Sequence, residues 1–179
     1  IVNDDFTGDR AHQMYASVAV GVIDAMNQAD AEQAVSKIEN YLMGFPGDSD
    51  YFNRLTMVGD ASRQFTEDAY NARGTAAAAN PAGIIDNIYT ELYDGNNADR
   101  DTQVHSDIAS ALNAGSYFFS YVGHSRADAF ESAFPVWNNQ LIASNYYDYK
   151  PFAALGTCST FPYDWYNNSL VHNFTAKAD

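Results

Sequence analysis

The sequence predicts an α/β protein, a three-layer sandwich with a mainly parallel sheet flanked by helices. Short apolar blocks bounded by turn residues alternate with stretches of helical periodicity, the pattern of strands joined by crossover helices. The chain has 179 residues, 46% of them hydrophobic, enough for one domain with a substantial core and too few for two comfortable ones. Residues 1–179 are therefore read as a single domain. Two of the apolar blocks also end on a reactive side chain. Tyr117 to Gly123 leads into His124, and Phe152 to Thr157 leads into Cys158, the chain's one cysteine.

In order along the chain, Ser17 to Ile23 reads as a first buried strand. From Asp30 the apolar residues Ala31, Ala34, Val35, Ile38, Tyr41 and Leu42 recur at steps of three and four, so Asp30 to Leu42 is an amphipathic helix with Asn27 or Asp30 as its cap. Gly44, Pro46 and Gly47 stop it. Leu55 to Val58 is a short buried strand ending in Gly59-Asp60. A helix follows from Thr66 to Ala79, and Asn80-Pro81 breaks it. Ile84 to Tyr93 holds another strand, and Asp94 to Asp99 is a loop. Asp101 to Asn113 is a helix with Val104, Ile108, Ala111 and Leu112 on one face, closed by Gly115. The His124 strand, a long connection rich in aromatics, the Cys158 strand and a last helix near Tyr166 to Lys177 complete the chain.

Charge narrows the partners. Nine basic against 23 acidic side chains give a net charge of −14, which repels nucleic acid and anionic lipid and favours cationic partners or divalent metal. No apolar run approaches the roughly 18 residues of a membrane span. With one cysteine there is no internal disulfide framework, so the thiol is either an inert core residue or chemically used. Few lysines, many Asp and Asn, and 13 Tyr fit a secreted, extracellular or periplasmic protein. The missing initiator Met and the patterned ends suggest a fragment of a longer polypeptide.

In open parallel sheets the carboxyl ends of the strands form the working edge, and Asp60, His124 and Cys158 all fall there. A thiol becomes an efficient nucleophile when an imidazolium or a helix N-terminus lowers its pKa. Cys158 is thus the candidate nucleophile and His124 its acid/base partner. Asp60 can orient the imidazole, with Glu67 and Asp68 as competitors, or it can cap the next helix. His12, His105 and His172 lack the spacing of paired zinc ligands and read as surface or packing residues.

Two acidic loops, Asp4/Asp5/Asp9 and Asp94/Asn96/Asn97/Asp99/Asp101, offer oxygen ligands suited to Ca²⁺ but lack the twelfth-position Glu of an EF-hand. Solvated Asx turns are the other reading. Trp137, Trp165, Phe161, Tyr163 and the Tyr146, Tyr147 and Tyr149 cluster either line a groove beside Cys158 or pack loops and core.

These residues resemble the gingipain-like peptidases, family C25 of the caspase and legumain clan. Phe118 to His124 looks like the family's strand into Gly-His-Gly, and Leu155 to Thr160 like its strand into the nucleophilic Cys. The 33 residues between His124 and Cys158 suit that family. Upstream, Asn3 to Asp9, Val18 to Gly21, Asp30 to Tyr41 and Asn113 to Gly115 are similar to its opening loop, first strand, crossover helix and turn before the His. The chain departs from the family at Ser125, where Gly is usual, at Val22, where Arg is usual, and after Cys158, where a further strand and pocket loops are expected.

The resemblance implies a caspase-like fold and a cysteine endopeptidase. Cys158 would attack the peptide carbonyl, His124 would protonate the leaving amine, and backbone N–H groups among Gly123, Ser125 and Cys158 would hold the oxyanion. It also implies a peptide or protein substrate, cleavage after basic residues, no cofactor for the chemistry, and a structural calcium for which Asp94, Asn96 and Asp99 are the candidates. A non-catalytic binding or secretion-associated member of the fold is the alternative, favoured by Ser125 and the short C-terminal part. A serine hydrolase is disfavoured because no Gly-x-Ser-x-Gly elbow is present.

Overall fold

The computed structural model describes residues 23, 25–43, 51–94, 97–130, 137–138, 151–158, 169 and 171–173. In chain order they form α1 (Gln28–Met43), β1 (Arg54–Gly59), α2 (Arg63–Ala79), β2 (Ile84–Tyr89), α3 (Asn97–Asn113), β3 (Phe118–Val122), β4 (Ser125–Arg126), β5 (Ala129–Phe130), β6 (Trp137–Asn138) and β7 (Phe152–Gly156). Strands β2, β1, β3 and β7 lie in that order in one sheet, every pair parallel.

The expected strands at Leu55–Val58, within Ile84–Tyr93, before His124 and before Cys158 are all present. So are the three expected helices. The proposed strand from Ser17 lies outside the described residues apart from Ile23, which is not in a strand; of the last helix only Val171–Asn173 is described, and it is helical.

The differences fall at helix starts and in the aromatic-rich connection. Helix α1 is capped by Asn27: its Oδ1 accepts the Asp30 N–H (3.1 Å), while Asp30 Oδ2 accepts the Met26 N–H (3.0 Å), a reciprocal box. Helix α2 begins at Arg63, earlier than Thr66, because Ser62 takes the cap position with an extended backbone and its carbonyl accepts from Phe65 and Thr66. Helix α3 begins at Asn97, inside the segment read as a loop; Asp99 in its first turn complements the positive end of the helix. Within the connection, β4, β5 and β6 form a small antiparallel sheet.

Side chains alternate across the sheet with the two-residue period of strands. Leu55 and Met57 of β1, Ile85 and Tyr89 of β2, and Phe118 and Val122 of β3 pack with Ala69 and Ala76 of α2. Val58, Ile88, Phe119 and Tyr121 pack instead with Val104, Ile108, Ala111 and Leu112 of α3. The two crossover helices therefore cover opposite faces, which gives the three layers. Full burial of an aliphatic or aromatic side chain contributes about 1.5–3 kcal/mol, so both faces stabilise the sheet.

The topology also locates a crevice. From β1 the chain crosses to β2 on one side, whereas from β3 it proceeds to β7 on the other. The direction of winding thus reverses between β1 and β3, and ligands bind beyond the carboxyl ends of strands at such a switch point.

Candidate active site

Asp60 is the residue immediately after β1, and His124 lies two residues after β3. The β1–β3 ladder runs through Gly59↔Val122, and the Asp60 N–H continues it by donating to the Val122 carbonyl (3.2 Å). That register brings the two residues together. The Asp60 side chain is buried, at 1% exposure, whereas that of His124 is 55% exposed. Asp60 Oδ2 lies 2.7 Å from His124 Nδ1 and accepts the His124 backbone N–H at 2.8 Å. A carboxylate oxygen accepts, so the network assigns the hydrogen to Nδ1 and leaves Nε2 for proton exchange.

The other oxygen, Oδ1, accepts the Ser62 N–H at 2.7 Å, and the Thr66 hydroxyl donates to the Asp60 carbonyl. One carboxylate thus holds both the imidazole and the Ser62 N–H ahead of α2; the cap position itself belongs to Ser62 and not to Asp60. Its competitors are elsewhere engaged: Glu67 pairs with Arg63 on the exposed side of α2, and Asp68 is exposed.

Two further residues hold His124, and neither carried a sequence signal. Phe65, in the first turn of α2, meets the imidazole edge to face at 4.9 Å between centroids. The Tyr121 hydroxyl, fully buried, donates to the His124 carbonyl. Between them Gly123 passes so close that an added Cβ would sit 2.7 Å from Asp60 Cβ and from the Tyr121 hydroxyl. Only glycine fits there.

Cys158 occupies the equivalent position on the neighbouring strand. Val122 pairs with Gly156 at the end of the β3–β7 ladder, and the Gly123 N–H donates to the Gly156 carbonyl (3.2 Å). His124 and Cys158 therefore each lie two residues beyond a paired position, on strands that neighbour one another. Parallel neighbours run about 4.7–4.9 Å apart. Cys158 is exposed. Ser125 bridges the two segments, its hydroxyl donating to the Cys158 carbonyl at 3.0 Å.

Among the oxyanion donors suggested by sequence, the Gly123 N–H is committed to this ladder. Ser125 lies in β4, extended backbone that any residue adopts. The usual glycine is therefore not required there by φ.

The remaining candidates lie apart from this edge. His172 is buried near the N-terminus of α1, its Nε2 3.9 Å from Asp30 Oδ2. His105 is on α3, and His12 is outside the described residues. Of the calcium candidates Asp94 is exposed, Asp99 is exposed in the first turn of α3, and Asn96 is outside the described residues. Among the described residues no group of three or more His, Cys, Asp and Glu is arranged to hold a metal. Trp137 lies in β6; Trp165, Phe161, Tyr163, Tyr146, Tyr147 and Tyr149 fall outside the described residues, as do Asp4, Asp5 and Asp9. No described helix is long and apolar enough to cross a membrane.

A parallel three-layer α/β fold whose strand ends present an oriented imidazole beside a thiol-bearing segment is the architecture of the caspase-like class. Within that class, the chain belongs to peptidase family C25, which it matches over residues 1–179. Its fold is similar to that of the Arg-specific cysteine proteinase gingipain R (RgpB), with a TM-score of 0.66 at 12% identity over 87% of this chain and 35% of that one. It is likewise similar to RgpB of Porphyromonas gingivalis in the complex of its pro- and mature domains, with a TM-score of 0.67 at 13% identity over 92% of this chain. The chain thus spans 35–38% of the length of those proteins. No curated protein sequence matches it.

Proposed function

We propose that this chain carries the catalytic edge of a secreted cysteine endopeptidase, with Cys158 as nucleophile, His124 as acid and base, and Asp60 as the group that orients His124. The observation that carries the reading is the 2.7 Å contact between a buried carboxylate and the ring nitrogen of a half-exposed imidazole, at the switch point of the sheet and one strand from the only cysteine.

In the reaction Cys158 gives its thiol proton to His124 Nε2, its Sγ attacks the carbonyl carbon of the scissile peptide, and the electron pair moves to the carbonyl oxygen. The N–H groups of Ser125 and Cys158 stabilise that oxyanion. Collapse expels the amine, which takes its proton from His124 Nε2, and leaves a thioester. Water then attacks the thioester and gives a proton to His124, which returns it to the departing sulfur as the C–S bond breaks, releasing the acid and the thiol. No cofactor enters these steps.

The substrate is a peptide or protein. Cleavage after basic residues is supported by the net charge of −14 and by the likeness to an Arg-specific proteinase.

A peptidyl chloromethyl ketone with Arg beside the reactive carbon tests this reading against that of a non-catalytic module. Rapid labelling is expected, lost in Cys158→Ala and slowed at least about a hundredfold in His124→Ala, the scale of a lost general acid/base. Slow alkylation at one rate with and without His124, as for any exposed thiol, overturns the reading. Faster labelling by an Asp or Leu analogue overturns the basic specificity alone.

A further inference from the structure

We infer that Ser125 is a positioning residue for the nucleophile: its hydroxyl, through the bond to the Cys158 carbonyl, sets where the sulfur stands relative to His124. This rests on the peptidase reading and adds a part to it.

The inference follows from where the β3–β7 ladder stops. Its last described bond is the one from the Gly123 N–H to the Gly156 carbonyl. Neighbouring residues of a strand aim their N–H groups at opposite sides: Gly123 faces β7, His124 faces β1 and donates to Asp60 Oδ2, and the next residue to face the β7 side is Ser125. β7 is also the outer strand among the described ones, held in the sheet through β3. There the Ser125 hydroxyl supplies a link beyond the last described ladder bond, 3.0 Å from the Cys158 carbonyl.

A carbonyl can only accept, so the hydroxyl must donate, which fixes its direction. With Gly156 held two residues earlier and the carbonyl held at Cys158, the sulfur-bearing residue is constrained on both sides. A side chain is needed for this, and glycine, usual at this position in the family, cannot supply one.

A displaced nucleophile lowers the rate of the chemical step more than binding, and small misplacements cost up to about a hundredfold. The test compares Ser125→Ala, Ser125→Gly and Ser125→Thr in the full protein, with kcat and KM measured on an Arg-containing peptide substrate and Cys158 alkylation by iodoacetamide measured alongside. We expect kcat to fall about tenfold in the Ala and Gly variants with KM within twofold. The Thr variant, which keeps the hydroxyl and suits a strand, should recover to within threefold of the parent. Melting temperatures within about 2 °C of the parent accompany this result, because the bond lies at the exposed edge.

Unchanged kcat in Ser125→Ala overturns the inference, and so does equal loss in the Thr and Ala variants. Cys158→Ala separates the two levels: hydrolysis surviving that change removes the peptidase reading itself, whereas hydrolysis lost in Cys158→Ala but unaffected in Ser125→Ala removes only the role of Ser125.

Discussion

The two ends of the parallel sheet are built from opposite materials. At the amino end, the entries to β1 and β3 are closed by stacked phenols: Tyr41 lies on Tyr117 at 5.5 Å, and Tyr51, 1% exposed, meets Tyr117 edge to face at 5.8 Å. At the carboxyl end the same strands run out into Asp60, Gly123, His124 and Ser125, held by directional hydrogen bonds around a half-exposed ring. Apolar stacking tolerates small displacements, whereas a hydrogen-bonded edge with glycine at its tightest point does not. The division follows: the phenol end is built for stability, and the polar end is where the proposed chemistry would take place.

Asp60→Asn is the strongest test of that division. The carboxylate accepts three donors, the Ser62 N–H at Oδ1 and two from His124 at Oδ2, and an amide has one acceptor oxygen to offer. Its NH2 group must then face a donor or force the ring into the other tautomer. The comparable change in a serine protease triad costs about 10⁴ in kcat. We expect a fall of about 10² to 10⁴ in kcat/KM with no more than about 1–3 kcal/mol lost from unfolding, the cost of a buried donor left unpaired. Steady-state kinetics beside thermal melts read both numbers. Activity within tenfold of the parent would assign Asp60 to the start of α2 alone.

The opposite end responds to alkali, as do Tyr89 at the end of β2 and Tyr93 just beyond it, both raised chiefly by burial. Burial, and then the neighbouring Tyr117, push Tyr51 up from 10 to about 12; burial, and then its hydrogen bond with Tyr117, raise Tyr41 as well. For an acid whose folded pKa is raised, stability is complete below the unfolded value and is lost as pH climbs toward the folded one. Unfolding free energy should therefore be flat to about pH 9.5 and then fall until about pH 12, Tyr51 contributing up to about 1.4 kcal/mol per pH unit. Denaturant titrations between pH 8 and 11.5 measure this, with Tyr51→Phe flattening the slope. Identical slopes in parent and variant would remove Tyr51 from the phenol end's contribution.

How much of this was legible in the sequence follows the same division. The central strands β1 and β3 are readable because both their faces are covered, so Leu55 to Val58 and Phe118 to Val122 are apolar apart from Thr56 and Ser120. Asp60, His124 and Cys158 were readable as candidates because each follows such a block and a parallel sheet sends its carboxyl ends to one edge. The hairpin from Ser125 to Phe130 was not, since two-residue strands have no periodicity. The start of α3 was misplaced because Asn and Asp suit loops and first helical turns alike. The roles of Phe65, Tyr121 and Ser125 have no local signature: each is set by which atom it meets across the fold.

Phe65 gives the finest test of the comparison, because it is an apolar residue serving the polar end. Its ring lies at 89° to the His124 imidazole, so it limits rotation of the imidazole without accepting a proton from it. Edge-to-face pairs contribute about 0.5–1.5 kcal/mol beyond their buried area. Phe65→Leu keeps an apolar side chain and removes the aromatic face. The expected result is a loss of about three- to tenfold in kcat, KM nearly constant, and a melting temperature close to the parent's. If KM rises instead with kcat unchanged, Phe65 contacts substrate, and the imidazole is held by Asp60 and Tyr121 without an apolar partner. The carboxyl end would then be polar throughout, a sharper contrast with the phenol end than the one drawn from the ring geometry.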